Sequence, residues 1–261
     1  MRLVKAHLLR GSQMQIKNPL MAWRHITAAF ILSGCSTLAT TTPSDSAADQ
    51  HSQAPDMQAR YAQWGQAGGK VFALDPNASQ VLIYAFRAGR AAKLGHNHVL
   101  SAPVFTGFFN WPTSGAPASC FDLEFRLDQL VLDNPKHRAG LGGNFAAVLS
   151  PEAIAATREH MLGADNMQAT AFPFVRIHSL QIAGEAPKFA AKIAVELHGQ
   201  TREMWLPLNV DGLPERLSVT GALVLRQSDF GAQPYSVLGG MLAVQDELVV
   251  EFTLQGVPVR P

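Results

Sequence analysis

Alternation with a period of two runs through most of the chain and limits what it can become. Phe121, Leu123, Phe125 and Leu127 alternate with Asp122, Glu124, Arg126 and Asp128. Phe189, Ala191, Ile193, Val195 and Leu197 do the same against Lys192, Glu196 and His198. Leu217 to Leu225 and Leu248 to Leu254 repeat the pattern. Successive side chains of a strand point to opposite faces, so each run predicts a strand with one face in a core and one in water. Val71–Leu74, Val99–Trp111, Phe172–Ile182 and Glu203–Val210 read as further strands, and Gln80–Arg87 as a strand apolar on both faces. One helix interrupts them: Ser150 is placed to cap it, Pro151 to start it, Glu152 to meet its positive end and Gly163 to stop it. A second short helical turn is expected near Tyr235–Leu238. About eight antiparallel strands with one or two short helices make an all-β domain, a closed barrel or a sandwich. A barrel of about eight strands either fills with side chains or holds one small ligand. The inward faces here carry few charges, so a hollow barrel would take an apolar ligand.

The N-terminus has a different character. Lys17 and Arg24 precede the apolar run Ile26–Leu32, which ends in Leu32-Ser33-Gly34-Cys35. A basic region, a short apolar stretch and small residues before a cut site are the parts of an export signal, and the stretch is too short to span a bilayer. The last four residues resemble a bacterial lipobox, in which the cysteine becomes the lipidated first residue. The expected organisation is a lipoprotein-type signal over 1–34, a flexible tether over 35–68 and one barrel domain over 69–258. The tether reading rests on the small, polar, proline-dotted stretch 40–56. Within it Gln58–Trp64 is expected to form a short helical turn. The signal would place the protein on the periplasmic side of a bacterial envelope, held to the membrane through Cys35. Residues 1–34 carry five of the 21 basic residues and no acid, which leaves 16 basic against 20 acidic beyond them, a formal −4. That balance offers no broad basic surface for nucleic acid. Cys120 is then a lone thiol, expected as a small buried apolar group.

Candidate chemistry is concentrated in Lys93-Leu94-Gly95-His96-Asn97-His98, in the connection between the second and third strands. Residues two apart on an extended segment face the same way, so His96 and His98 form a pair. Several readings stay open. Gly95 and Asn97 make a turn, and the histidines bond the backbone or line the barrel mouth. In a headgroup site, His96 and His98 with Lys93 and Arg90, joined by Arg87, hold the polar end of an amphiphile. In a metal site, His96 and His98 bind Zn or Cu with further ligands such as His178. In an enzyme, one of the histidines is a general base. A fifth reading is a partner protein of an envelope redox or transport system. The chain has no Gly-x-Ser-x-Gly, no His-Glu-x-x-His and no glycine-rich phosphate loop. Arg226 and Asp229 are expected to pair where a strand bends into Phe230-Gly231.

Three phrases, in order, carry a resemblance. They are Met161-Leu162-Gly163-Ala164-Asp165-Asn166 leading to Phe172-Pro173, then His198-Gly199-Gln200-Thr201-Arg202 leading to Leu206-Pro207-Leu208, then Leu225-Arg226-Gln227-Ser228-Asp229-Phe230-Gly231 followed by Val244-Gln245-Asp246-Glu247-Leu248. With Leu74-Asp75-Pro76 and Ser79 near the start, they resemble the YceI-like, lipid-binding domain family over about 70–257. The resemblance implies a lipocalin-like antiparallel barrel with an apolar pore, export to the periplasm, and a polyisoprenoid or other long amphiphile as ligand. Gly-His-Asn-His before Gly107-Phe108-Phe109 departs from the single-histidine phrase of many members and marks a variant.

Overall fold

The computed structural model describes residues 51–260. The expected signal and Cys35 lie outside the described residues. The elements in order are α1 (Ala54–Gln66), β1 (Lys70–Leu74), β2 (Gln80–Ala88), β3 (His98–Ser101), β4 (Thr106–Trp111), β5 (Cys120–Arg126), β6 (Val131–Leu132), α2 (Pro135–Leu141), α3 (Pro151–Leu162), β7 (Phe174–Glu185), β8 (Lys188–Leu197), β9 (Gln200–Asp211), β10 (Leu217–Arg226), β11 (Ser236–Val237) and β12 (Leu242–Pro258). All pairings among the described strands are antiparallel. The ring β1-β4-β5-β7-β8-β9-β10-β12 closes where β12 returns to β1. It is a closed eight-stranded barrel, one of the two architectures the alternation allows and the one the resemblance implies. The long β12 serves two neighbours along one edge: Gln80–Ala88 pairs with its first two thirds and Phe72–Leu74 with its end.

Four local features refine the expectations. The run Val99–Trp111 is two strands, broken at Ala102-Pro103-Val104-Phe105, because Pro103 has no N–H for a ladder. β7 carries a bulge between Ser179 and Gln181. The extra residue switches the inward parity, so Val175 and Ile177 line the interior before it and Ile182 after it. His178 and Leu180 therefore face outward although they alternate in phase with Ile182. Helix α3 begins and ends as expected, with Ser150 Oγ accepting the Ala153 N–H at 3.2 Å. Helix α2 is additional, capped by Asn134 and started by Pro135, a signal of the same kind sixteen residues upstream. Near 235–240 the chain makes β11 and then a single 3-10 turn, Leu238–Gly240, a few residues later than expected.

Strands with two apolar faces are explained by what covers them. Outside β2, Tyr84 and Phe86 meet the Phe145 ring at 6.0 and 6.2 Å centroid separation. Outside β4, Phe108 stacks on Tyr61 of α1 at 5.3 Å. In place of the second half of a flexible tether, residues 54–66 form a 13-residue helix packed on the barrel through Met57 and Tyr61. The segment before it is also bonded down. Ser52 Oγ and the Gln53 N–H donate to the Glu124 carboxylate, and Arg176 donates to the His51 carbonyl. Glu124 and Arg176 form a buried ion pair at 2.9 Å on the outer wall, and Arg176 also reaches Glu196 at 2.8 Å. Arg226 pairs with Glu247 across β10 and β12 at 3.2 Å, not with Asp229 as expected, because the ladder sets those two side by side.

Candidate functional site

The barrel interior is hollow. A cavity of about 530 Å³ is lined by the inward residues of nearly every strand, among them Ile83, Leu100, Phe125, Ile177, Ile193, Leu206, Leu223 and Val250. That volume lies within the ~300–1,000 Å³ usual for small-molecule sites. A cluster of aromatic rings stands at one end: Trp111 meets Phe189 edge-on at 6.2 Å and Phe109 at 6.2 Å, with Phe72 at 6.3 Å from Phe109. At the other end the lining turns polar, with Arg87, His96, His98, Thr157, His160, Asn166, Gln227 and Tyr235. Helix α3 lies across this mouth, contributing Ala153, Ala156, Thr157, His160 and Met161. It is tethered by Arg158, whose guanidinium donates to the carbonyls of Leu130, at 2.6 Å, and Asp128. The His160 and Tyr235 rings are 5.2 Å apart.

The expected histidine pair sits at this mouth, and both residues are among those lining the cavity. The turn that carries them is held by Asn97, which is buried. Its side-chain carbonyl accepts the Arg87 N–H at 3.1 Å, and its main-chain carbonyl accepts from Arg138 at 2.8 Å. Arg87 also donates to the Gly95 carbonyl at 2.9 Å. Of the cations expected to join a headgroup site, Arg87 lines the cavity, whereas Lys93 and Arg90 are exposed on the outer rim and do not.

His98 has a partner that spacing alone did not indicate. Its Nδ1 lies 2.6 Å from Oδ2 of Asp133, whose side chain is 0% exposed. The other carboxylate oxygen accepts from Arg138 at 2.6 Å and from the Val99 N–H at 3.1 Å. Burial by itself pushes the Asp133 carboxyl up, but the hydrogen bonds from His98, Val99 and Arg138 outweigh it and hold the group below its ordinary value. An ionised carboxylate only accepts, so His98 Nδ1 carries a proton and its orientation is set. In the neutral ring Nε2 is then an acceptor, suited to a hydroxyl, and in the charged ring it is a donor, suited to an anion. The signal for this partner was faint. Asp133 follows an apolar run, directly before Asn134-Pro135, and its φ of 53° is one that Asp tolerates better than most residues.

The metal reading lacks a complete ligand set among the described residues, where no group of three or more His, Cys, Asp or Glu side chains is placed to hold an ion. His178, the suggested third ligand, is on the outer wall, with Nδ1 3.7 Å from Asp122. Cys120 is half-buried under α1, its Sγ 3.9 Å from the Tyr61 hydroxyl, and burial pushes its thiol up, away from the reactive thiolate.

Comparisons with known proteins follow the fold. The family model described as "YceI-like domain" matches residues 72–256, more than half of the 261. Among solved structures, BcnA of Burkholderia cenocepacia superposes with a TM-score of 0.51 at 13% identity, over 70% of this chain and 99% of that one. A polyisoprenoid binding domain from Saccharophagus degradans, implicated in plant cell wall breakdown, gives 0.48 at 15% identity over 72% and 98%. A Campylobacter jejuni YceI protein gives 0.43 at 9% identity over 62% and 85%. No curated protein sequence matches the chain.

Proposed function

This chain belongs to the YceI-like domain family, and we propose that it holds one long apolar ligand, isoprenoid- or lipid-like, inside its barrel. The observation that carries the reading is the hollow interior: about 530 Å³ of apolar space, lined by aromatic rings at one end and polar at the other. Such a shape suits an amphiphile with its tail against Trp111 and Phe189 and its polar end at the mouth. There His98, held by Asp133, together with His96 and Arg87, contacts a hydroxyl or phosphate. Lys93 and Arg90 stand outside this contact. The chain is exported and anchored through Cys35 on the periplasmic side of the envelope, a part of the reading that rests on the N-terminal sequence.

Native mass spectrometry of the purified protein tests the ligand. The expected result is a co-purified amphiphile of one mass class, depleted in His96→Ala/His98→Ala. Protein that carries no ligand, and that binds no long-chain amphiphile on addition, would sink the reading. Labelled palmitate should enter the wild-type chain in an envelope-forming host and not Cys35→Ala.

A further inference from the structure

Around the mouth, three segments come together: 89–96, 134–149 and 236–242. The Ala91 N–H donates to the Met241 carbonyl at 2.8 Å, and a Cβ on Gly89 would sit 2.4 Å from that same oxygen. Arg87 Nη2 bonds Asn144 at 3.4 Å, and Phe145 packs on Phe86. These segments carry large apolar side chains in open solvent: Leu94 is 80% exposed, Val148 98%, Leu238 77% and Met241 49%. Aliphatic side chains so placed around a cavity entrance mark a contact surface rather than scatter.

The charges there say what the contact is. Arg90, Lys93 and Lys136 are exposed on these three segments, which hold no Asp or Glu, although the chain beyond residue 34 has four more acids than bases; the exposed Glu152 and Glu159 sit apart from them, on α3. A two-fold contact made by these three segments alone would bring like charges together. We propose that the mouth rim is a membrane-docking surface for anionic lipid. Leu94, Val148, Leu238 and Met241 enter the headgroup boundary, and Arg90, Lys93 and Lys136 lie among the phosphates. On the ligand reading above, a seated rim opens the cavity directly onto lipid, so an apolar ligand passes without crossing water.

The test is co-sedimentation of the full, unlipidated chain with vesicles of phosphatidylcholine, with and without phosphatidylglycerol. Binding is expected with the anionic lipid, weakening as salt rises. Each cation at an anionic surface is worth about fivefold, so R90Q/K93Q/K136Q should bind about a hundredfold more weakly at an unchanged melting temperature. V148D/L238D should lose binding as well. Because residues 1–50 are common to all these chains, the rim is also read directly. Tryptophan emission in Leu238→Trp should move to the blue on anionic vesicles and be quenched by brominated lipid. An unmoved emission, equal binding to neutral vesicles, or a charge variant that binds like wild type overturns the proposal. So does a concentration-dependent dimer abolished by V148D/L238D, which would assign the rim to a second copy. Rim binding by a protein that carries no ligand and takes up no added long-chain amphiphile would remove the cavity reading alone, and a ligand without rim binding would remove the docking alone.

Discussion

Asp133→Asn tests how the mouth is held. The asparagine keeps the size of the side chain and tolerates the φ of 53°. It removes the charge that faces His98 and Arg138, both at 2.6 Å. Arg138 is itself buried, so its guanidinium is left without its counter-charge, and breaking such a pair costs ~3–5 kcal/mol. The bonds Arg138 keeps to the carbonyls of Asn97 and Ala147 place the expected loss at the low end, about 3 kcal/mol. Arg138→Gln added to Asp133→Asn should recover part of it, since both charges are then gone. The pH dependence has a definite sign. The folded carboxyl lies below its ordinary value, and the unfolded one titrates near ~3.9. The charged form therefore stabilises the fold above ~3.9, and that contribution fades as pH falls through the folded value. Urea unfolding followed by tryptophan fluorescence should show the gap between wild type and Asp133→Asn narrowing below about pH 4. Ligand retention should fall in the variant even where it remains folded, because His98 loses its orienting partner. A stability change under about 0.5 kcal/mol, or a gap that stays constant into acid, would refute the argument for a buried charge pair.

Three further outcomes follow from the packing. In a series of straight-chain alcohols each methylene should tighten binding about fourfold, from ~0.8 kcal/mol per buried CH₂, until the cavity is full; Leu223→Trp, on the cavity wall, should make that plateau arrive at a shorter chain, read by fluorescence displacement. Tyr61→Phe removes the hydroxyl that donates to Asp122 at 2.9 Å and should cost ~1.5–3 kcal/mol, while Tyr61→Ala should cost ~3–5 kcal/mol, with faster hydrogen exchange confined to α1 and its footing on β4. Ser150→Ala removes the cap of α3 and should cost ~1 kcal/mol, raising the rate of ligand escape measured by stopped flow, since α3 covers the mouth.

Much of the fold was legible because its cause is local. Alternation at Phe121–Asp128 or Leu248–Gln255 states which face is inward whatever the strand pairs with. Ser150-Pro151 and Gly163 state where a helix begins and stops for the same reason. The failures share another cause. A bulge at Ser179–Gln181 inverts the parity of β7, and nothing local separates that run from an unbroken strand. Phe108 and Tyr84 were visible as apolar residues on the wrong face, but their covers, Tyr61 and Phe145, lie 47 and 61 positions away.

The histidines divide in the same way. That His96 and His98 stand two residues apart where one strand leads into the next is plain from the sequence. That His98 is held by Asp133, itself bonded by Arg138, while Lys93 and Arg90 stand outside, follows from which connections a closed barrel brings to one end. The sequence by itself determined a barrel-sized set of half-buried strands, a capped helix, and a polar knot between two of the strands. Only the tertiary structure decided that the barrel is hollow and that aromatic rings gather at one end. Patterning sets which side chains face inward. Whether they meet across the middle depends on the diameter, and that is fixed by how many strands close the ring and in what register.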